Sequence, residues 1–261
     1  MIKYAFSRDM PGEHSKWTLK PWKHFGLEVY DTIDQVPTDR ILISSHHPPW
    51  REPLRSWIAA GNNYIEIEYG YWGPDTPRRE TRRVTYNGHH NLNPKSIPHS
   101  RQHLFQNPAI RPWKESASDY ILGIQPVEVI LQERTGENLE QFRERIENAV
   151  KPYWDGYIEW RRKIGPKPAR WETLQAQVAN AYAVVGERTM ACVESCLLGT
   201  PGYTIDRSMS TLLTGSIENL ASNPRPDRNE WWEHICWSQF NRDEFETFAP
   251  AELTELYQIN S

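Results

Sequence analysis

Apolar and polar positions alternate through Tyr64-Ile65-Glu66-Ile67-Glu68, the period of a half-buried strand, and the run continues into Tyr69-Gly70-Tyr71-Trp72. Upstream, the β-branched run Ile41-Leu42-Ile43-Ser44-Ser45 ends at His46-His47-Pro48-Pro49. Residues 52–60 then place Leu54, Trp57 and Ile58 at helical spacing and stop at Gly61. Strand, helix and strand in that order predict a parallel βαβ unit. Arg83-Val84-Thr85-Tyr86 predicts another strand, closed by the Asn87-Gly88 turn.

The second half carries the same alternation more plainly. A strand or pair of strands is expected over 120–131 around Pro126, and Leu139, Phe142, Ile146 and Val150 line one face of a helix beginning at Asn138. Strand 156–160, helix 171–181, strand 182–185, helix 189–198 and strand 202–205 follow, with Gly199 ending the second helix. From Asp227 the tail reads as short helices carrying Trp231, Trp232, Trp237 and Phe240. Such alternation predicts an α/β fold with parallel sheets and helices on both faces.

Length and composition narrow the classes. At 261 residues the chain has room for one large domain or two small ones, and the Pro-containing stretch 96–118 is the natural boundary. No apolar run approaches the ~20 residues that span a bilayer. The first residues, Met1-Ile2-Lys3-Tyr4, lack the apolar core of a secretion signal, so a cytoplasmic protein with no membrane partner is expected. Cys192, Cys196 and Cys236 show no Cys-x-x-Cys or Cys/His spacing, which argues against both a disulfide framework and a structural zinc site. Twelve Trp and 20 Pro imply short rigid connections and several flat aromatic surfaces.

Charge is unevenly spread. The net charge of −4 argues against a general nucleic-acid binder. Between Thr76 and Lys114, however, Arg78, Arg79, Arg82, Arg83, Lys95, Arg101, Arg111 and Lys114 stand against Glu80 alone, a local excess of +7. Four histidines, Tyr86, Phe105 and Trp113 are interspersed. Cations and aromatics on an extended segment suit phosphate contacts with base stacking. The plainer alternative is a solvated face whose charges pair elsewhere.

Residues 182–208 hold the second candidate. A buried strand turns at Gly186-Glu187-Arg188-Thr189 into a helix whose first N–H groups are unpaired and whose dipole end is positive. Open α/β sheets bind ligands at that carboxyl edge. Arg188 adds a forked cation suited to a diphosphate, and Thr189 either caps the helix or meets a phosphate oxygen. Glu194, in an otherwise apolar run, is costly unless paired or bound to a ligand's hydroxyls. The alternative is an ordinary crossover with an N-cap and one surface Glu.

The stretch Ala183-Val184-Val185-Gly186-Glu187-Arg188-Thr189 through Glu194 to Leu198-Gly199-Thr200-Pro201-Gly202-Tyr203 resembles the donor site of two-Rossmann (GT-B type) glycosyltransferases. Trp237-Ser238-Gln239-Phe240 through Glu244 is similar to the ending of capsule-type and phage-encoded members. Ile65–Trp72 with Arg83–His89 resembles the N-terminal half of phage glycosyltransferases that modify DNA bases. The resemblance implies two Rossmann-like halves: an acceptor-binding domain over 1–115, reduced in size, and a nucleotide-sugar-binding domain with a helical tail over 116–261. Glu187-Arg188 departs from the pattern, which has small residues there.

By the same resemblance Arg161 and Lys163 touch the donor diphosphate with Arg188 and Thr189, and Glu194 holds ribose or sugar hydroxyls. The donor is then a nucleotide sugar, UDP-linked by expectation, with no cofactor and no metal, since helix dipole and cations stabilise the leaving diphosphate. A general base is expected from the N-terminal half. Glu68 is the first choice, with Tyr71 and Trp72 beside it to stack a flipped-out base, and His46 and His47 are next. Arg78, Arg79, Arg82, Arg83 and Asn87 fall on the acceptor side. The expected reaction is sugar transfer to a hydroxylated pyrimidine of double-stranded DNA, by a monomer or weak dimer. Alternatives are transfer to a polysaccharide or small molecule, a metal-dependent nuclease built on His89-His90-Asn91, and a non-enzymatic DNA binder.

Overall fold

The computed structural model describes residues 3–8, 20–23, 25–45, 52–70, 81–87, 100–102, 110–115, 118–162, 167–206, 208–241 and 244. The chain forms two compact units, Met1–Asn107 with Trp232–Ser261, and Pro108–Trp231.

The first unit is built on a six-stranded sheet. Strands β1 (Tyr4–Ser7), β2 (Glu28–Tyr30), β3 (Ile41–Ser45) and β4 (Tyr64–Tyr69) run parallel in the spatial order β2-β1-β3-β4. Two antiparallel strands extend it beyond β4: β5 (Thr81–Tyr86), then β10 (Gln239–Asn241) from the tail. Strand alternation divides the side chains between two faces. Tyr4, Phe6, Ile41, Ile43, Ile65, Ile67 and Val84 pack with Trp22 of helix α1 (Lys20–Lys23) and with Trp237 and Phe240 of the tail. Ala5 and Leu42 face the other way, toward Leu54 and Trp57 of helix α2 (Glu52–Ala59) and Ile33.

The βαβ expectation over 41–68 matches β3, α2 and β4, which pair in parallel register. Three expectations change. Among the described residues the N-terminal sheet is not reduced: it has six strands against four in the second unit, because β1, β2 and the tail's β10 went unread. Each of these is only three or four residues long, too short to establish a period. The tail is not wholly helical, since Gln239–Asn241 pairs with β5. That pairing returns the tail to the first unit, whereas the sequence reading left it in the domain over 116–261.

The second unit has four parallel strands, β6 (Tyr120–Ile124), β7 (Tyr157–Arg161), β8 (Ala183–Gly186) and β9 (Gly202–Thr204), in the order β7-β6-β8-β9. Helices cover both faces. Tyr120, Leu122, Ile124 and Val184 meet helices α5 (Lys167–Asn180) and α6 (Met190–Leu197). Ile121, Ala183, Val185 and Tyr203 meet α3 (Glu128–Thr135) and α4 (Leu139–Val150). The second strand expected around Pro126 is instead α3, which Gly136 ends in the left-handed conformation. Asn138 starts α4 with a capping box: its Oδ1 accepts from the Gln141 amide at 2.9 Å, and Gln141 Oε1 accepts from the Asn138 amide at 3.0 Å. Phe142, Ile146 and Val150 on the expected face are buried, each worth about 1.5–3 kcal/mol by apolar burial.

Segment 110–115 docks on the C-terminal end of α6. The Arg111 amide donates to Leu197 O at 3.0 Å and the Lys114 amide to Gly199 O at 2.9 Å, which satisfies carbonyls at a helix end. Gly199, at φ +86°, passes so close to the Pro112 carbonyl that a side chain would collide with it.

Candidate functional site

The order β7-β6-β8-β9 reverses direction between β6 and β8. Connections from β6 lead first to β7 on one side and then back to β8 on the other, and ligands bind outside the carboxyl ends of the strands at such a switch. The chain leaving β8 there is Gly186-Glu187-Arg188-Thr189. Gly186 is required by contact, because a Cβ would lie 2.6 Å from Thr189 Cγ2. Thr189 is the N-cap of α6, its Oγ1 accepting from the Ala191 amide at 3.2 Å. Of its two expected roles, the cap is the one seen.

Arg188 has φ +42°, the left-handed region that a residue with a side chain enters at a cost of about 1–3 kcal/mol. Its neighbours hold it there. The Arg188 amide donates to Asp206 Oδ1 at 2.9 Å and its Nε to Asp206 Oδ2 at 2.9 Å. On the other side, Glu187 accepts from Arg145 Nη2 of α4 at 2.6 Å, and Arg145 also binds Glu137 at 2.8 Å through both Nε and Nη2. The Arg145 hydrogen bond holds the Glu137 carboxyl below its ordinary value. Glu187-Arg188, the departure from the family pattern, is thus a doubly anchored turn. Its anchors Asp206 and Arg145 were not singled out by sequence; the one available signal was an acid two residues past β9 at the same edge.

Arg161 ends β7 and pairs in register with Ile124, so it shares the carboxyl edge with Arg188, two strand spacings or about 10 Å along the sheet. Gln125 follows Ile124, is buried, and receives Arg143 Nη2 at 2.6 Å when its amide oxygen faces that guanidinium. Glu194 is not a surface residue: at 5 % exposure it lies inside with the rest of α6. Lys163 lies outside the described residues.

The first unit treats its candidates differently. Glu68 on β4 stands opposite Arg83 on β5 and forms an ion pair with it, the arginine fully buried and the carboxylate nearly so. Glu68 is therefore engaged by a guanidinium, not set among aromatic rings alone as its sequence neighbours suggested. Arg82 and Arg83 are not an exposed DNA face either; both are interior residues of β5. Arg101 from the same basic stretch is buried too. Its guanidinium donates to Cys236 O and Gln239 O at 3.2 Å and to Glu244 at 2.8 Å, and lies over the Trp237 and Phe240 rings. Arg101 is thus bound to the tail, and Arg83 joins β5 to β4.

Asn87 sits at the opposite end of β4 from Glu68. At φ +50° it closes the turn, its Oδ1 accepting from the Tyr64 amide at 2.8 Å, so the two are separated by about 13 Å of strand. His46, His47, Tyr71, Trp72, Arg78 and Arg79 lie outside the described residues, as do His89, His90 and Asn91 of the nuclease alternative. Among the described residues no group of three His, Cys, Asp or Glu is placed to hold a metal ion, and no helix is long and apolar enough to cross a membrane.

No protein-family model and no curated protein matches the chain. Among solved structures it is similar to the KpsC protein of Thermosulfurimonas dismutans, a beta Kdo 2,7 transferase, with 9 % identity, full coverage of both chains and a TM-score of 0.48. The architecture is established independently of that likeness by strand order and register: an α/β chain with one mixed, mainly parallel sheet and one all-parallel sheet.

Proposed function

We propose that the chain is a glycosyltransferase whose nucleotide-sugar donor binds at the carboxyl edge of the second sheet. The observation that carries this reading is the anchored left-handed turn at Arg188, set at a topological switch and leading directly into a capped helix. A strained, side-chain-tied turn of this kind supports ligand binding better than a plain crossover does. In the reaction, an acceptor hydroxyl oxygen bonds to the anomeric carbon as the bond from that carbon to the donor phosphate breaks. A base takes the hydroxyl proton, and the nucleoside diphosphate leaves with the bonding pair. Arg188 and the start of α6 meet the charge that develops on it, without need of a metal.

The acceptor we propose is a saccharide or small-molecule hydroxyl. The DNA-base reading drew on an exposed basic stretch, and Arg82, Arg83 and Arg101 of that stretch are interior. For the base, the histidine pair gains on Glu68. His46 and His47 directly follow β3, whose neighbour across the switch of the first sheet is β1, and Glu68 is engaged by Arg83. The test is release of nucleoside diphosphate from a panel of nucleotide sugars, with saccharide or DNA acceptors, in the presence of a chelator. Turnover stimulated by a saccharide supports the reading. Activity seen only as DNA cleavage and abolished by chelation would replace it with the nuclease.

A further inference from the structure

We infer that Asp206 is a positioning residue of the donor site, holding Arg188 so that the free edge of its guanidinium is presented to the donor phosphates. This rests on the proposed nucleotide-sugar reading. The loop after β9 runs beside the turn after β8, because Thr204 and Gly186 are register partners on neighbouring parallel strands. Asp206 spends both carboxylate oxygens on one residue: Oδ1 receives the Arg188 amide and Oδ2 its Nε, each at 2.9 Å. One carboxylate therefore fixes both the left-handed backbone and the direction of the side chain.

The clasp uses the Nε–H and leaves the two Nη groups; among the described residues nothing engages them. The Arg188 side chain is 46 % exposed and that of Asp206 24 %, so the cation is the outer member of the pair. A guanidinium with Nε held and both Nη groups outward is the fork that recognises phosphate oxygens in bidentate fashion. Asp206 itself is steadied from below, since Thr204 Oγ1 donates to its backbone carbonyl at 2.5 Å. A carboxylate competing with the ligand would lie across the Nη edge. Asp206 lies elsewhere, which favours positioning over competition.

Calorimetry with UDP, ADP, GDP and CDP, and with the matching nucleoside as control, tests this on the full chain. Arg188→Ala is expected to weaken the preferred nucleoside diphosphate about 10- to 150-fold, the value of a charge-assisted contact. Asp206→Ala should weaken it at least ~10-fold, and the double variant should be little worse than Arg188→Ala, because the two act as one unit. Asp206→Asn keeps an acceptor for the amide and guards against misfolding, checked by thermal unfolding; its loss should be smaller but measurable. Affinity for the bare nucleoside should not change, which a merely structural defect would not spare. If wild type binds and Arg188→Ala weakens binding, but both Asp206 variants bind normally or more tightly, the positioning role is wrong and the proposed function stands. If wild type binds none of the four nucleoside diphosphates, the proposed function falls and this inference with it.

Discussion

Both units wind four parallel strands in the same spatial order, second-first-third-fourth, yet they spend their charged residues in opposite ways. In the first unit two antiparallel strands are added beyond the fourth, and arginines that look like a binding face become interior fasteners. Arg83 is paired with Glu68, and Arg101 is bonded to the tail. In the second unit no strand extends the sheet past β9 among the described residues, and Arg188 is held at the edge with its guanidinium half exposed. The same residue type is interior in one unit and half exposed at a sheet edge in the other. What decides is whether the backbone around it goes on to pair or turns out of the sheet.

The contrast breaks most readily at Arg83. Arg83→Ala removes a fully buried guanidinium from its pair with the part-buried Glu68 carboxylate, and breaking a buried pair from one side costs at most about 3–5 kcal/mol. Denaturant unfolding should register that loss, while nucleoside-diphosphate affinity in the second unit stays unchanged. Normal stability with lost DNA binding would instead make Arg83 a DNA ligand and abolish the distinction between the two units.

Next in size is the base. His46→Ala or His47→Ala is expected to lower the turnover number about 100-fold with donor affinity intact, the ordinary contribution of a general base. Glu68→Gln should act differently, lowering stability through Arg83 with turnover per folded molecule close to normal. A 100-fold turnover loss in a fully folded Glu68→Gln protein would return the role to Glu68.

How far the sequence foretold this follows from where its signals are local. The helix from Asn138, the βαβ unit over 41–68 and the turn at Asn87 were legible because a period, a cap or a turn residue lies within a few positions. β1, β2 and β10 were not, since each is three or four residues long and is held by partners distant in the chain. The turn at 186–189 was readable as a strand-to-helix turn from Gly186 and the helix behind it. Its anchors were not, because Arg145 and Asp206 reach it from 42 and 18 residues away. The basic stretch misled for the converse reason: a run of arginines in sequence says nothing of which strand will cover them.

A smaller effect should follow from Gly186→Ala. The added methyl would press on Thr189 Cγ2, and relieving that contact displaces the N-cap, at a typical overpacking cost of about 1–3 kcal/mol. Nucleoside-diphosphate binding should weaken together with stability, because turn and cap are the same few atoms. An Ala variant of normal stability with unaltered affinity would show that the turn has slack and weaken the case for a preset site.

The smallest expected effect is on the pH dependence of stability. Burial drives the Cys196 thiol of α6 up from 9.0 to about 12, Cys192 beside it well above its usual value, and Cys236 in the first unit upward too. In the unfolded chain a thiol ionises near its ordinary value, so above about pH 9 the unfolded state binds fewer protons than the folded one and stability falls as pH rises. Lys114 works the other way: burial lowers it from 10.5 to about 8, so between those values the unfolded chain holds the extra proton and stability rises with pH. Replacing Cys196 with Ala leaves Lys114 untouched and adds a cavity cost that does not depend on pH. The change in slope between pH 9 and 10 therefore isolates the thiol, and should amount to about 1 kcal/mol over that interval, because the unfolded thiol is only partly ionised there. An alkaline limb as steep in Cys196→Ala as in wild type would mean that the thiol is solvated, and that α6 is looser than its burial implies.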